Sequence, residues 1–141
     1  MRSRLLDHFG RLLKQANNNM MRHFDQFAKR FGLTGNQMAV IDFLMNHAEE
    51  EIFQRDIEHE FNIQRSTTTV LLQRMEKKGL IERHTSSKDA RQKAVALTDK
   101  AVKIASACQT YLRAEEEEFA QQFSAEEREI FLNILQHYRN L

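Results

Sequence analysis

The chain is expected to fold as a mainly α-helical protein with one small β hairpin, and three features of the sequence say so. Proline is absent and glycine occurs only four times in 141 residues, so little in the chain interrupts a helix. Apolar residues recur at three- and four-residue spacing over most of its length, the period of helices with one buried face. Between residues 80 and 97 that period gives way to two short runs bounded by polar turn residues, which read as strands.

The first helix is marked by Leu5, Leu6, Phe9, Leu12, Leu13, Ala16, Met20, Phe24, Phe27, Ala28 and Phe31, and is expected to end near Gly32. Asn17, Asn18 and Asn19 are poor helix formers, so a local loosening is expected there. Thr34, three residues before Gln37, has the spacing of a capping box and opens a second helix. Its apolar face is Met38, Ile41, Phe43, Leu44 and Met45. After the acidic turn Glu49, Glu50 and Glu51, Ile52 and Phe53 read as a very short strand. A short helix over 54–62 turns Ile57 and Phe61 inward, Ile63 fills the next turn, and a further helix spans about 65–78. Gly79 suits the left-handed cap that closes it.

Strands are expected at 80–84 and 93–97, the second alternating at Lys93, Val95 and Leu97, with 85–92 as the hairpin loop. A long helix over about 99–122 carries Val102, Ala105, Cys108, Leu112 and Phe119. Ser124 and Glu127 form a second capping box before a last helix with Ile130, Phe131, Ile134, Leu135, Tyr138 and Leu141.

Length suits one ordinary domain with a real core, and 41% hydrophobic with 29% charged residues suits a water-soluble one. No run approaches the roughly 18 apolar residues of a membrane span, and the N-terminus has no apolar region followed by a small-residue cleavage site. A single cysteine, Cys108, allows no internal disulfide. The expected setting is the cytoplasm, with no membrane and no cofactor.

Charge is laid out in blocks. The whole chain is +1, yet Arg65 to Lys93 holds eight positive residues against three acids. Residues 1–33 carry +5, 34–62 carry −6 and 99–129 carry −4. Positive charge gathered on one helix and one hairpin, between acidic neighbours, points to a directed face for a polyanion.

Two short helices, a tight turn and a two-stranded hairpin make a winged helix-turn-helix, here flanked by long N- and C-terminal helices. The second short helix of such a unit enters the DNA major groove, about 12 Å wide. Its first turn meets base edges, and Gln64, Arg65, Ser66, Thr67 and Thr69 supply amide, guanidinium and hydroxyl groups there. Arg65 is suited to guanine and the threonine methyls to thymine. Thr67 and Thr69 are equally candidates for capping their own helix. Arg74, Lys77 and Lys78 are placed for phosphates. Lys88 and Arg91 on the wing suit the narrow minor groove, while Asp89 would repel phosphate and reads as a brace for an arginine.

These residues carry a specific resemblance. Leu33-Thr34, Gln37, Val40, Gln54, Ser66-Thr67, Thr69, Leu72, Arg74, the run Met75 to Ile81, Arg83, Asp89-Ala90-Arg91 and Leu97-Thr98 together resemble the MarR family of bacterial transcriptional regulators. The Asp-x-Arg wing followed six residues later by Leu-Thr is the most diagnostic part. The resemblance implies a winged helix-turn-helix over 33–98 and a helical dimerisation region from 1–32 with 99–141, in one compact domain. It implies a homodimer on a pseudo-palindromic double-stranded operator, acting as a repressor relieved by a small apolar or aromatic effector. The broad apolar faces of both terminal helices favour a dimer independently, and two-fold symmetry would set the recognition helices about 34–36 Å apart. Three positions depart from the family pattern: Thr68 in place of valine, Glu58 in place of alanine at a close helix crossing, and Ala101 in place of glycine.

Met20, Phe24, Phe27, Met38, Ile41, Met45 and Cys108 either line the effector pocket that the resemblance implies or pack as ordinary core. Cys108 reads as a structural cysteine, because the peroxide-sensing branch of the family carries its reactive thiol near the start of the first helix. The six histidines are far apart, and no metal site is expected, His47 with Glu49 to Glu51 being the faintest of candidates. An enzyme finds no support in a Gly-rich phosphate loop, a nucleophile–base signature or clustered ligands.

Overall fold

The computed structural model describes residues 8–141, which form six helices and one hairpin. By internal contacts the chain divides into two units, Met1–Ala105 and Ser106–Leu141. Leu5 and Leu6 lie outside the described residues.

In the first unit, α1 (Phe9–Lys29) opens at His8, whose Nδ1 accepts from the Gly10 amide at 3.2 Å. The helix runs unbroken through Asn17 to Asn19, where a loosening was expected. All three side chains are exposed, and a helix of 21 residues absorbs three weak formers once Phe24 and Ala28 are buried. Gly32 then takes φ 73°, and the Leu33 amide turns back to the Ala28 carbonyl at 3.1 Å.

Thr34 and Gln37 form the expected reciprocal capping box on α2 (Gly35–Asn46). Asp25 of α1 accepts from the Gly35 amide at 2.6 Å, so a carboxylate sits at the helix N-terminus and ties the two helices together. Met38, Val40, Ile41 and Leu44 are buried, with Phe43 and Met45 half-buried.

Residues 51–53 form no strand. One bond links Ile52 to the hairpin, from the Val95 amide to the Ile52 carbonyl at 2.7 Å, and one bond makes no ladder. Next comes α3 (Gln54–Phe61), ending at Asn62 with φ 50°, a left-handed conformation that asparagine tolerates. This makes the turn into α4 (Arg65–Lys77) tight. Ile57 of α3 and Leu72 and Met75 of α4 are fully buried.

The two departures at the α3–α4 crossing are both accommodated. Thr68 is fully buried, with its hydroxyl donating to the Gln64 carbonyl at 2.9 Å, so no polar atom is stranded. Glu58 is half-buried and accepts from Gln54 at 3.1 Å, bridging one turn of its own helix.

Gly79 closes α4 at φ 72°. The hairpin pairs β1 (Ile81–Thr85) with β2 (Lys93–Leu97), antiparallel, with Ile81 opposite Leu97 and Thr85 opposite Lys93. The first strand begins one residue later than expected because the Leu80 amide still returns to the Met75 carbonyl of α4 at 3.0 Å. Simple alternation fails in β2: Ala94 and Val95 are both buried, so the base of the hairpin is covered on both faces. Ala101, early in α5 (Asp99–Gln122), is fully buried.

The second unit holds the rest of α5 and α6 (Ala125–Arg139), with the Ser124–Glu127 capping box formed as expected. Arg128 donates to the Ala120 and Phe123 carbonyls, satisfying the end of α5. Cys108 is fully buried. Phe119, Phe123, Ile130, Phe131 and Ile134, with Glu127, line an open apolar groove of about 380 Å³. Ile130, Phe131 and Ile134 each stay near half exposed.

Candidate nucleic-acid interface

The first turn of α4 projects its side chains outward. Gln64, Arg65, Ser66 and Thr67 are exposed and Thr69 is half-buried. The N-cap position is Gln64, which makes no side-chain cap bond, so neither Thr67 nor Thr69 caps the helix. Thr69 is committed elsewhere: it donates to the Arg65 carbonyl and accepts from Gln54 Nε2, both at 2.9 Å. The bond from Gln54 docks α4 against α3.

Further along α4, Arg74 and Lys77 are exposed. Lys78, expected beside them at a phosphate, has its ammonium engaged within the protein. Its ammonium donates to the Gly32 carbonyl at 2.9 Å and to Gln37 Oε1 at 3.0 Å, while its own carbonyl accepts from Lys100 at 2.8 Å. Arg83 leans toward Glu76 at 3.7 Å. Arg65, Arg74, Lys77, Lys88 and Lys93 remain as exposed cations of this stretch beside Arg91.

The wing tip has a defined internal geometry. Asp89 accepts from the Arg91 amide at 3.0 Å, from Nε at 3.1 Å and from Nη2 at 3.3 Å. The Arg91 guanidinium holds the Asp89 carboxyl below its ordinary range. Arg91 is nonetheless 90% exposed at its side chain, so the pair aims the guanidinium outward without covering it. The brace expected from the sequence is therefore formed.

Several residues of this surface escaped sequence reasoning. Arg55 lies over the Phe53 ring at 4.9 Å and borders a concavity of about 370 Å³ with Gln54, Arg65, Gln92 and Lys93. It was detectable as the single positive residue in the acidic block of 34–62. Glu51, read only as part of an acidic turn, accepts from the Ser86 hydroxyl, the Ser87 hydroxyl and the Ser87 amide at 2.8–3.1 Å. These bonds, led by the Ser87 hydroxyl, lower its pKa from the ordinary carboxylate value. No linear signal joins Glu51 to a serine pair so far along the chain.

The seven residues considered for an effector pocket are scattered in their surroundings. Met38 and Ile41 are fully enclosed, as core residues are, whereas Met20 is 58% exposed. Phe27 and Met45 are half-buried, and Cys108 is buried in the second unit. Only Phe24 of the seven borders the open cleft of about 1130 Å³ that runs between α1, α2 and α4 past Asn17, Asp25, Ser66 and Arg74. Among the described residues no group of three or more metal-ligating side chains occurs, and no helix is long and apolar enough to cross a membrane.

Helix, tight turn, exposed second helix and basic braced wing define a winged helix-turn-helix transcription regulator. Comparison with known proteins agrees. Residues 31–92 match the model of the MarR family. The chain is 43% identical to the transcription regulator MarR from Oenococcus oeni PSU-1, covering 95% of this chain and 100% of that one, with a TM-score of 0.86. It is 26% identical to MepR of S. aureus in its DNA complex, over 93% and 95% of the two chains, with a TM-score of 0.84. It is also 26% identical over 126 residues to the homoprotocatechuate degradative operon repressor of Escherichia coli, 89% of this chain and 84% of that one. The chain belongs to the MarR family of transcription regulators, and these relatives are regulators rather than enzymes.

Proposed function

We propose that the protein is a homodimeric, sequence-specific repressor that binds a pseudo-palindromic double-stranded operator and releases it when a small ligand binds. The observation that carries the reading is the outward first turn of α4 beside a wing whose arginine is braced yet 90% exposed. Gln64, Arg65, Ser66 and Thr67 meet base edges in the major groove, with the Thr69 methyl at their border. The first amides of α4, left without a side-chain cap, face a phosphate. Arg74 and Lys77 follow the backbone, and Lys88 and Arg91 reach the minor groove with Asp89 as brace. Arg55 and Lys93 join the phosphate contacts from their concavity beside Arg65.

Exposed apolar side chains support the dimer. Ile130, Phe131, Leu132 and Ile134 of α6 and Phe9, Leu12, Leu13 and Met20 of α1 are each 40–58% exposed, more apolar surface than a monomer ordinarily leaves in water. Residues 1–32 and 99–141 then supply the dimerisation region and 33–98 the reading head. The cleft beside α4 supports ligand response. Its rim includes Ser66, Thr67 and Arg74, so an occupant would meet side chains that DNA needs. MepR occurs in a solved complex with DNA and the E. coli relative is named a repressor, which favours the same role here.

The test is selection from a random-sequence duplex library with the purified protein. An enriched inverted repeat with half-sites one helical turn apart is the expected product. Recovery of no preferred sequence removes operator recognition from the reading.

A further inference from the structure

The wing tip is tethered to the body of the protein through a chain of hydrogen bonds that begins at Glu51. This residue stands in the turn between α2 and α3, outside the recognition helix and the wing alike. Its Oε1 accepts from the Ser86 hydroxyl at 3.1 Å and the Ser87 hydroxyl at 2.8 Å, and its Oε2 accepts from the Ser87 amide at 3.1 Å. The Ser86 hydroxyl oxygen accepts in turn from the amides of Lys88 at 3.1 Å and Asp89 at 3.3 Å. Asp89 then holds Arg91 by its amide and two guanidinium nitrogens. One residue after Glu51, the Ile52 carbonyl takes the Val95 amide at 2.7 Å. Two consecutive residues of one turn thus hold both arms of the hairpin.

A carboxylate set beside a surface meant for a polyanion works against binding by its charge. Here that charge is answered by three donors. Ser86 is only 6% exposed although it begins the loop, which is what a hub rather than a tip residue looks like. Each bond also polarises the next along such a chain. Without the carboxylate, the Ser86 hydroxyl loses the acceptor that orients it and the Ser87 amide loses this partner. Arg91 would then sample more positions, and ordering it on DNA would cost binding energy.

We propose that Glu51 is a positioning residue for DNA recognition, the first member of a Glu51–Ser86–Asp89–Arg91 relay that sets where the wing guanidinium enters the groove. This rests on the wing being a DNA contact, and a measurement without DNA separates the two ideas.

The experiment uses Glu51→Ala, Ser86→Ala, Arg91→Ala and the two doubles with Arg91→Ala in the full chain. Binding is titrated on the duplex enriched by selection or, failing enrichment, on a random-sequence duplex, and amide hydrogen exchange is followed without DNA. Glu51→Ala and Ser86→Ala are expected to weaken binding roughly threefold to tenfold each and to add nothing once Arg91 is alanine. The amides of Ser87, Lys88 and Asp89 are expected to exchange about tenfold faster in both single variants, with α4 unchanged. Losses that add to that of Arg91→Ala, or no loss at all, overturn the relay. So does unchanged wing exchange, even if the protein binds no DNA. If Glu51→Ala fails to fold, Ser86→Ala decides by the same two readings.

Discussion

Lys78 at the end of α4 donates its ammonium to the carbonyl of Gly32, in the turn that ends α1, across 2.9 Å. The same ammonium reaches Gln37 Oε1, which already accepts from the Thr34 amide within the α2 capping box. One cation therefore joins the C-terminus of the recognition helix to the start of α2. A positive group at a helix C-terminus is also favoured by the helix dipole.

Lys78→Ala is therefore expected to act on stability. Loss of about 1 kcal/mol is the expected size, charge-assisted bonds being discounted here for an exposed side chain. Urea unfolding measures it. The salt slope of DNA binding should stay that of the native protein. A slope smaller by about one would make Lys78 a phosphate ligand after all.

Arg91 and Arg74 should separate by what they lose. Arg91→Ala is expected to weaken operator binding by about 1–3 kcal/mol with the fold intact. Arg74→Ala should weaken operator and random duplex alike and lower the salt slope by about one. Gel-shift titrations across several salt concentrations report both. Unchanged affinity for Arg91→Ala would remove the wing from the interface, and an operator-only loss for Arg74→Ala would make it a base reader.

The dimer is tested at Phe131, which is 47% exposed and lies edge-on to Phe119 at 5.8 Å between centroids. Phe131→Glu places a charge in the proposed apolar interface, and subunit dissociation should rise by about a hundredfold or more. Sedimentation velocity at micromolar concentration is expected to find dimer for the native chain and monomer for the variant. A native monomer would end the dimer proposal.

Acid should loosen the wing late. Glu51 and Asp89 both have pKa values lowered in the folded protein from ordinary values of 4.5 and 3.8. A lowered folded-state pKa contributes stability that is present above the unfolded value and is lost as pH falls through the folded one. The wing is therefore expected to keep its order as pH falls through those ordinary values and to lose it only below them. Chemical shifts of the Ser87 and Arg91 amides follow this. A midpoint at or above the ordinary carboxylate value would mean that these bonds do not form in solution.

Local patterns made most of the fold legible. Thr34 with Gln37 and Ser124 with Glu127 announced two helix starts, and Gly79 announced a helix end. The Asp89–Arg91 brace was legible for the same reason, since its partners are two residues apart. Long-range partnership was not. Lys78 looked like one more cation beside Lys77, and only the folded chain brings Gly32 to it. Glu51 looked like one acid of a turn because Ser86 and Ser87 meet it only through the hairpin. The bond from Gln54 to the Thr69 hydroxyl likewise joins residues on two different helices, which no local pattern announces.

The claim that matters most is that α4 and the wing together grip duplex DNA through its phosphates and its grooves. The logarithm of the association constant, measured against the logarithm of salt concentration on the selected duplex, tests it most directly. A steep negative slope of about 0.9 for each phosphate neutralised is expected, several phosphates in all. A flat dependence, with affinity indifferent to salt, would contradict it.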